Sequence, residues 1–304
     1  MANMLEIRSF LWNIARVTTD KKDAICVVCN LVMVASDSFY LKCSGCSHEY
    51  ASSPVVGEVT NSSQEGDKRN SHLTSRQVAI VNKFKPISVV DFGCGTGGFL
   101  YRLGRTERQI SIQGVETDLK SQRVAKDLGI QVHTSLDECE DAKLITFWHS
   151  LEHLDAEVLR GTLKRLQEKS VDTIIVSVPN ASSTQHLLMK DKFCFFDNQH
   201  HWSQFSPKSL NQLFSEHGFE LKQNFIILDY AVFSIIQTTM NRYLPKNQLY
   251  ELVKRSNGKL ELRALFSGML ALIKGTRQIV VFTIAEFLPG RRSVINAVFQ
   301  RRPN

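Results

Sequence analysis

Residues 89–100 read Val-Val-Asp-Phe-Gly-Cys-Gly-Thr-Gly-Gly-Phe-Leu. An apolar run reaches Asp91 and Phe92, four glycines follow within six residues, and apolar residues then resume. Glycine permits both a tight turn and the close approach of the backbone to a ligand. The stretch therefore predicts a buried strand that turns into a helix, with a ligand site at the turn.

Apolar strands alternate with amphipathic helices on both sides of this turn. The pattern predicts strands at 88–92, 110–116, 130–133, 144–148, 173–178, 219–228 and 294–299. It predicts helices at 75–84, from 99 onward, and at 119–128, 156–169 and 209–217. Strict alternation is typical of an α/β fold with a doubly wound, mostly parallel sheet, here of seven strands, that binds ligands beyond the carboxyl ends of its strands.

Two acidic residues distinguish between the cofactors that such a turn can bind. Gly93, Gly95 and Gly98 also satisfy the fingerprint of a nicotinamide or flavin dinucleotide. The pyrophosphate of such a cofactor would be repelled by Asp91 at the strand end. S-adenosylmethionine carries an ammonium and a sulfonium group and no phosphate, and Glu116 ends the next strand, where a carboxylate can accept both ribose hydroxyl protons. The sequence therefore favours S-adenosylmethionine.

Further motifs extend the pattern beyond the turn. They are Phe-Trp-His-Ser-Leu-Glu-His-Leu at 147–154, Val-Pro-Asn at 178–180 and Phe-Ser-Pro-Lys-Ser-Leu at 205–210. With them the chain, over about 74–230 and the last strand, resembles the class I S-adenosylmethionine-dependent methyltransferases, which have a Rossmann-like fold. It resembles the branch that acts on small molecules, sugars and lipid-linked metabolites, in which many members carry an N-terminal zinc ribbon.

The resemblance implies where the cofactor lies. The turn from Asp91 to Gly97 would hold the methionyl end, Glu116 the ribose, and Ser135 with Leu136 the adenine. Trp148 and His149, at the end of the fourth strand, would line the pocket of the methyl donor. The expected cofactor-binding residues are Asp91, Gly93, Cys94, Gly95, Gly97, Glu116, Ser135 and Trp148.

Methyl transfer to a hydroxyl requires a group that takes the hydroxyl proton, and histidine suits this role near neutral pH. The candidate catalytic residues are His149, Glu152, His153, His200 and His201. Two other interpretations remain open for Glu152 and His153: stabilisation of the turn into the next helix, or a divalent metal site. The metal interpretation rests on a resemblance of His149-x-x-Glu152-His153, with a distant His200 or His201, to the Glu-x-x-Glu-His plus His sites of small-RNA ribose methyltransferases and to the acidic cluster of ubiquinone-pathway O-methyltransferases. His149 stands in the place of the first carboxylate.

Four of the seven cysteines form two Cys-x-x-Cys pairs, Cys26 with Cys29 and Cys43 with Cys46. Two such knuckles can close a tetrahedron around zinc and supply folding energy that a short segment lacks. The alternative is a pair of disulfides, which the three isolated cysteines and the absence of a secretory signal disfavour. The sequence predicts a structural zinc site. His48 could substitute for one of the ligands, and the favoured interpretation places it at the surface.

The expected organisation is an N-terminal segment 1–23, a zinc ribbon 24–55, a linker 56–73 and a methyltransferase domain 74–304. No apolar run reaches the roughly 18 residues of a membrane span. We expect a cytoplasmic protein that is soluble or lies on the inner face of a membrane.

A helical, basic insertion is expected at 240–290. From residue 240 onward the chain has twelve Lys or Arg against three Glu, and apolar residues recur at helical spacing over 260–288. Two interpretations remain open: helices packed on the core or in a dimer, or an amphipathic surface over 240–302 on an anionic membrane. Oligomeric state is left open.

These patterns predict an enzyme that transfers a methyl group from S-adenosylmethionine to a small-molecule, sugar or lipid-linked acceptor, through a hydroxyl. The alternative is an RNA methyltransferase that uses the ribbon and the basic segment to bind nucleic acid. The ribbon carries few charges, which makes nucleic acid the weaker candidate. A binding module without catalysis is a third possibility, which the intact cofactor motif disfavours.

Overall fold

The computed structural model describes residues 25–36, 39–52, 72–106, 109–197, 199–246 and 262–303. These residues form a small sheet of four strands and a large sheet of seven. The strands are β1 Met33–Ala35, β2 Tyr40–Cys43, β3 Glu49–Ala51, β4 Ser88–Phe92, β5 Ser111–Val115, β6 Gln131–His133, β7 Leu144–Trp148, β8 Thr173–Pro179, β9 Ser203–Gln204, β10 Phe219–Asn224 and β11 Val294–Arg301.

Nine α-helices accompany these strands within the described residues. They are α1 His72–Asn82, α2 Gly98–Gly104, α3 Leu119–Asp127, α4 Ala156–Glu168, α5 Thr184–Met189, α6 Pro207–Glu216, α7 Leu228–Asn241, α8 Leu262–Lys274 and α9 Thr276–Phe287. Asp118, Asp155 and Ser206 cap α3, α4 and α6 with side-chain oxygens that accept backbone N–H groups of the first turn, which fixes where these helices begin.

The large sheet has the strand order β10-β11-β8-β7-β4-β5-β6. Strands β4 to β8 pair in parallel, whereas β11 is antiparallel to both β8 and β10. The expected mostly parallel, seven-stranded sheet is confirmed. Strands β4 and β8 are buried throughout, which explains why they read as continuous apolar runs in the sequence.

The order of the strands locates the ligand site. The sheet grows in one direction from β4 through β5 and β6, and in the other through β7 and β8. The loops after β4 and β7 therefore diverge at the carboxyl edge, where a crevice forms in folds of this kind. The glycine turn follows β4, and the segment from Trp148 to His153 closes β7.

One element differs from its expected course. The strand expected at 219–228 ends at Asn224, and Leu228 begins α7. This helix buries Ala231, Ser234 and Ile235, yet Val232 and Phe233 on another face are exposed apolar residues. A helix that is apolar on more than one face lacks the clean 3.6-residue pattern, so the sequence did not show it. The short helix α5 was missed as well.

Helices α7, α8 and α9 pack together between β10 and β11. This confirms a helical insertion before the last strand, although residues 247–261 lie outside the described part. The helices α8 and α9 meet at Gly275, where a Cβ atom would lie 2.1 Å from Cγ2 of Thr239 on α7. Only glycine permits this close approach.

The small sheet joins the ribbon to the rest of the protein. Strands β1, β2 and β3 form an antiparallel ribbon, and β3 pairs with β9, which lies between α5 and α6 in sequence. The segment 1–23 and most of the linker 56–73 lie outside the described residues. The expected domain boundaries therefore stay predictions.

Candidate active site

The turn after β4 adopts a backbone that requires glycine. Gly93, Gly95 and Gly97 have φ values of 78°, 55° and 76°. A Cβ atom on Gly93 would lie 2.5 Å from Cβ of Ser150, whose hydroxyl donates a 2.5 Å hydrogen bond to the carbonyl of Phe92. The turn is thereby fixed against the loop that follows β7.

Asp91 lies at the end of β4 and is buried. Its Oδ1 accepts a 2.6 Å hydrogen bond from the hydroxyl of Thr146 on β7. The pKa of Asp91 is raised to about 7, chiefly by burial and also by the nearby Glu116 carboxylate, while the bond from Thr146 acts to lower it. A buried carboxylate of this kind favours a cationic partner.

Glu116 faces the same turn from the end of β5. Its Oε2 accepts a hydrogen bond of 2.9 Å from the amide of Gly95, and its Oε1 accepts bonds of 2.8 Å from the amides of Thr117 and Asp118. The side chain is buried. These bonds hold a carboxylate beside the glycine turn, which fits the expected contact with ribose hydroxyls.

The other expected cofactor residues are Cys94, Trp148 and Ser135, and each has different surroundings. Cys94 packs against Gly114, where a Cβ atom would lie 2.4 Å from its sulfur, and burial raises its pKa above the ordinary range. Cys94 therefore fills space within the turn. Trp148 contacts Phe99 edge to face at 5.8 Å, and its indole nitrogen is buried without a hydrogen-bond partner. Ser135 is half-buried and precedes a short 3₁₀ turn after β6.

His149 follows β7 in a strained backbone conformation. Its φ is 55°, which non-glycine residues rarely adopt, and its amide donates a 2.8 Å bond to Ser177 on β8. The imidazole lies against Tyr230, edge to face at 4.7 Å, and against Phe195 at 5.5 Å. The strain and the two aromatic rings together fix the direction of this side chain.

Glu152 lies one 3₁₀ turn later and is 1% exposed. Its Oε1 is 3.3 Å from Nδ1 of His149, although the pair does not meet hydrogen-bond geometry. Burial acts to raise the pKa of Glu152, but His149, His153 and His201 together lower it below its ordinary value. Glu152 is therefore a buried carboxylate surrounded by histidines.

His153 and His201 complete this cluster. Their rings meet edge to face at 4.7 Å, and one ligand atom from each lies within 4.8 Å of the other and of a Glu152 oxygen. Burial lowers the pKa of His201 to about 4, so the imidazole is neutral at pH 7. His200 is placed differently. Its Nδ1 pairs with Asp197 at 2.7 Å, and its carbonyl is 3.0 Å from Nδ1 of His153.

Several polar atoms of the cluster are buried without a partner. They are Nε2 of His149, both carboxylate oxygens of Glu152, Nδ1 of His201 and Nε1 of Trp148. Buried polar groups in folded proteins are almost always hydrogen-bonded, and exceptions gather at sites of binding and catalysis. Their concentration after β7 fits a site for a polar acceptor group or a cation.

Sequence reasoning missed the residues that position this cluster. Thr146 appears as one polar residue within an apolar strand, and its regular spacing from Asp91 across two parallel strands becomes visible only in the register. Tyr230 lies on the helix that the sequence did not predict. Its contact with His149 could not be anticipated.

The ribbon contacts the segment that carries His201. Strand β3 pairs Tyr50 with Ser203, and the Tyr50 ring stacks on Trp202 at 5.7 Å. The hydroxyl of Tyr50 accepts a 2.8 Å bond from the amide of Ala156 at the start of α4. Tyr40 donates from its hydroxyl to the carbonyl of His201 at 3.3 Å. The ribbon thus supports the backbone on both sides of the cluster.

The four expected cysteine ligands lie together at the tip of the ribbon. Their sulfur atoms lie within 4.8 Å of one another, with Cys26 to Cys46 at 3.6 Å and Cys29 to Cys43 at 3.3 Å. A zinc ion bonded tetrahedrally to sulfur at about 2.3 Å separates its ligands by about 3.8 Å. The distances exceed the ~2 Å of a disulfide, so this cluster is one that could hold zinc.

His48 is not at the surface. It is fully buried, its ring packs on Phe205 at 5.2 Å, and its Nδ1 is 3.7 Å from the sulfur of Cys26. Burial lowers its pKa to about 3. The sequence prediction was wrong because the ribbon buries this position against β9 and its neighbours, a contact between residues far apart in sequence.

Comparison with known proteins adds the following. A family model described as a methyltransferase domain matches residues 64–224, more than half of the chain. No curated protein matches the chain. Three of the similar solved structures are the methyltransferase domain of bacterial CtHen1-C (17% identity, 77% of this chain and 100% of that chain, TM-score 0.46), the small RNA methyltransferase HEN1 (15%, 76% and 26%, 0.47), and the O-methyltransferase of a trans-AT PKS multienzyme of Brevibacillus brevis in complex with S-adenosyl-L-homocysteine (14%, 77% and 74%, 0.45).

These structural likenesses are too distant to bear on the acceptor. The family model is different, because it spans most of the large sheet together with the glycine turn, Asp91 and Glu116. The chain therefore belongs to the class I S-adenosylmethionine-dependent methyltransferases.

Proposed function

We propose that this enzyme methylates a hydroxyl group of a small or lipid-linked metabolite, with His149 as the base that receives the hydroxyl proton. The observation that carries the proposal is the pair of a half-buried His149 and a buried Glu152 directly after β7. When bound, S-adenosylmethionine supplies the electrophilic methyl carbon. Asp91 and Glu116 supply a negative surface for a cationic cofactor and acceptors for its ribose.

The arrangement of His149 defines which of its nitrogens is available. Its Nδ1 faces the Glu152 carboxylate at 3.3 Å, which favours the tautomer with a proton on Nδ1. Nε2 is then the acceptor, and it is buried without a partner. Phe195 and Tyr230 flank the ring and keep it from turning, so Nε2 is held ready to accept a proton.

A divalent cation is the second candidate for the same cluster. Glu152, His153 and His201 offer one carboxylate and two imidazoles within 4.8 Å, and a neutral His201 is a suitable ligand. A cation there would lower the pKa of an acceptor hydroxyl directly. The cluster fits this role by its donor set, and His149 would then position Glu152 rather than act as the base.

We also propose that Cys26, Cys29, Cys43 and Cys46 bind a structural zinc ion. The four thiols are packed at the spacing that a tetrahedral site needs, and the amide of Val28 lies 3.4 Å from the sulfur of Cys26. All four protein ligands are in place, so this site leaves no open position for catalysis. Its role would be to stabilise a ribbon too small for a core of its own.

The acceptor class can be tested by comparing cells with and without the gene. Mass spectrometry of small metabolites, glycans, lipids and RNA should reveal one class that lacks a methyl group when the gene is absent. We expect the loss in a metabolite, glycan or lipid. A loss confined to RNA would overturn the proposal in favour of the nucleic-acid alternative.

The role of the histidine pair can be tested with the purified enzyme and that acceptor. We expect His149→Ala and Glu152→Gln to lower kcat by about 100-fold or more, the usual contribution of a general base, while cofactor affinity is retained. His217→Gln, which lies at the end of α6 and bonds to Leu213, is the matched control and should keep full activity. Restoration of a metal-stripped enzyme by Mg²⁺ or Mn²⁺ would instead favour the cation.

A further inference from the structure

Helices α8 and α9 expose apolar residues at regular spacing. On α8 these are Phe266, Met269 and Ile273, and on α9 they are Val280, Ile284 and Phe287, each more than half exposed. Intervals of three, four and seven residues place each set along one side of its helix. Scattered exposed apolar residues are normal on a protein surface, but two consecutive helices with such stripes are not. We refer to these six residues as the outer face.

The opposite sides of the two helices are already used by the fold. Ala271, Phe282 and Ala285 are buried, and Gly275 lies directly against Thr239 of α7. Helices α8 and α9 are therefore anchored on the protein by the side opposite the outer face. Within the part of the chain that the structure describes, nothing covers the outer face.

The exposed charged residues of the segment that carries the outer face are all basic. From residue 262 to 303 the sequence has one acidic residue, Glu286, which is buried and bonded to Gln185 and the amide of Ser293. Lys274 ends α8, Arg277 lies in the first turn of α9 and Arg291 follows α9, and all three are exposed. An apolar stripe bordered by cations is complementary to a bilayer surface that combines acyl chains with anionic headgroups.

The helices do not have the form of a membrane span. No single helix in the described residues is long and apolar enough to cross a bilayer. Residues 266–274 of α8 and helix α9 reach that length and apolar composition only when taken together, and they are bent by 73° at the break between them. Two helices that meet at a bend, with one side packed on the protein, can lie in one membrane surface more readily than they can cross the bilayer.

A line of aromatic side chains runs from α7, on which α8 and α9 pack, to His149. Phe233 on α7 is 40% exposed and contacts Phe195 at 5.8 Å, and Phe195 contacts His149 at 5.5 Å. Helix α7 packs on both α8 and α9. An acceptor that reaches His149 along Phe233 and Phe195 would therefore pass over apolar rings, the first of which belongs to the helix that packs on α8 and α9.

We propose that α8 and α9 bind the surface of an anionic bilayer through the outer face and its basic border. The enzyme would then meet its acceptor at the membrane, as a metabolite carried on a lipid. The proposal of membrane binding is argued from α8, α9 and their basic residues alone, whereas the proposal of a lipid-borne acceptor rests on the proposed function.

The test is flotation of the full chain with vesicles. Vesicles of phosphatidylcholine with phosphatidylglycerol should carry most of the protein to the top of the gradient at low salt, and pure phosphatidylcholine vesicles several-fold less. The double variant Ile273→Asp, Phe287→Asp should reduce binding at least tenfold, and Lys274→Glu with Arg277→Glu should remove the preference for anionic lipid.

Ile87→Asp provides the matched control. Ile87 is 69% exposed and directly precedes β4, at the end of the strand opposite the cofactor turn, so its variant should float like the unmodified protein. Circular dichroism and calorimetric titration with S-adenosylmethionine check that every variant is folded.

Three outcomes would overturn the proposal. They are full-length protein that remains unbound on anionic vesicles at low salt, equal loss of binding in the Ile87 control, and a stable dimer that the Ile273 and Phe287 changes dissociate. Because flotation needs no acceptor, failure of membrane binding is distinguishable from failure of the hydroxyl-methylation proposal, which the His149 and Glu152 variants test.

Discussion

The carboxyl group of Asp91 is almost inaccessible to water, since the residue is only 3% exposed. Its single described hydrogen bond to a side chain comes from Thr146. The fold thus keeps an ionisable group where its charged form is unfavourable until a cation arrives. Cofactor binding and stability of the ligand-free protein should therefore place opposite demands on this residue.

Replacement of Asp91 by Asn should separate these demands. A pKa raised to about 7 means that the folded protein binds a proton at Asp91 more tightly than the unfolded chain. The associated stability is fully present below the ordinary aspartate pKa of about 4 and is lost as pH rises through about 7. At pH 8 we expect Asp91→Asn to raise the melting temperature of the ligand-free protein and to abolish calorimetric binding of S-adenosylmethionine. A lower melting temperature would contradict this account.

The same pKa predicts how cofactor affinity depends on pH. A cationic ligand favours the ionised Asp91, so a proton must leave when the ligand binds. Below pH 7 the dissociation constant of S-adenosylmethionine should rise about tenfold for each unit by which the pH falls, because one proton competes with one ligand. S-adenosylhomocysteine keeps the ammonium group of the methionyl end, which the turn after β4 is expected to hold, so its dissociation constant should rise in the same way. Isothermal titration between pH 5.5 and 8 measures both slopes, and affinities that do not change with pH would contradict the prediction.

Residues whose role follows from local chemistry could be predicted from the sequence. Asp91 and Glu116 each follow an apolar run, and their charge alone distinguishes the classes of cofactor. The surroundings of His149 could not be predicted, because Tyr230 and Phe195 approach it from segments more than 40 residues away. The strained φ of His149 leaves no mark in the sequence either.

At the scale of elements, Arg301 at the end of β11 stabilises the C-terminal end of α4. Its guanidinium donates to the carbonyls of Leu166 and Lys169 at 2.6 and 2.7 Å, and Nε donates to Val171 at 2.7 Å. The carbonyl of Leu166 belongs to the last turn of α4, where carbonyls lack the partner that a further turn would supply. The group also lies over the ring of Phe219, 4.9 Å from its centroid.

Loss of this side chain should destabilise the protein measurably. We expect Arg301→Ala to lower the free energy of unfolding by about 2–3 kcal/mol, the usual effect of breaking charged hydrogen bonds that are partly buried. Arg302→Ala is the matched control, since its exposed guanidinium bonds only to Ser215 among the contacts that the structure shows, and should cost less than about 1 kcal/mol. Chemical denaturation compares the two, and equal losses would exclude this role.

The pairing of β3 with β9 connects the ribbon to the segment that carries His201. Removal of the zinc that we propose should therefore loosen Ser203 and Gln204 as well as the ribbon. We expect hydrogen exchange at the amides of 199–205 to accelerate at least tenfold after treatment with a chelator, and to recover when zinc is returned. Exchange in β5 and β6, which lie at the far edge of the sheet, should be unchanged. Acceleration confined to 25–52 would contradict the coupling.

Regular elements were predictable where one periodicity dominates. Strands β4, β7 and β8 are buried on both faces and so read as apolar runs, and α4 and α6 show one apolar side each. Helix α7 has buried polar residues, among them Ser234 and Thr238, and exposed apolar ones, so neither pattern appears. The pairing of β9 with β3 joins segments about 150 residues apart, which periodicity cannot reveal.

On the scale of the whole molecule, charge and apolar surface are distributed unevenly. The segment after residue 240 carries a large excess of positive charge, and the described part of it carries the outer face of α8 and α9. The glycine turn, Asp91 and Glu116 lie at the carboxyl ends of β4 and β5. Fold class and cofactor were predictable from sequence because they rest on the sheet. The surroundings of His149 and His201 come instead from the ribbon, the segment before β9 and α7, which lie far apart in sequence.

The position of β11 also has a consequence for biosynthesis. This strand lies between β8 and β10, yet it follows the entire helical insertion in the chain. A ribosome that has not yet reached residue 294 carries a nascent chain in which β8 and β10 have no strand between them. The apolar helices α8 and α9 emerge earlier than the strand that closes the sheet. Chaperones or a nearby membrane would therefore encounter these helices before the domain can complete its fold.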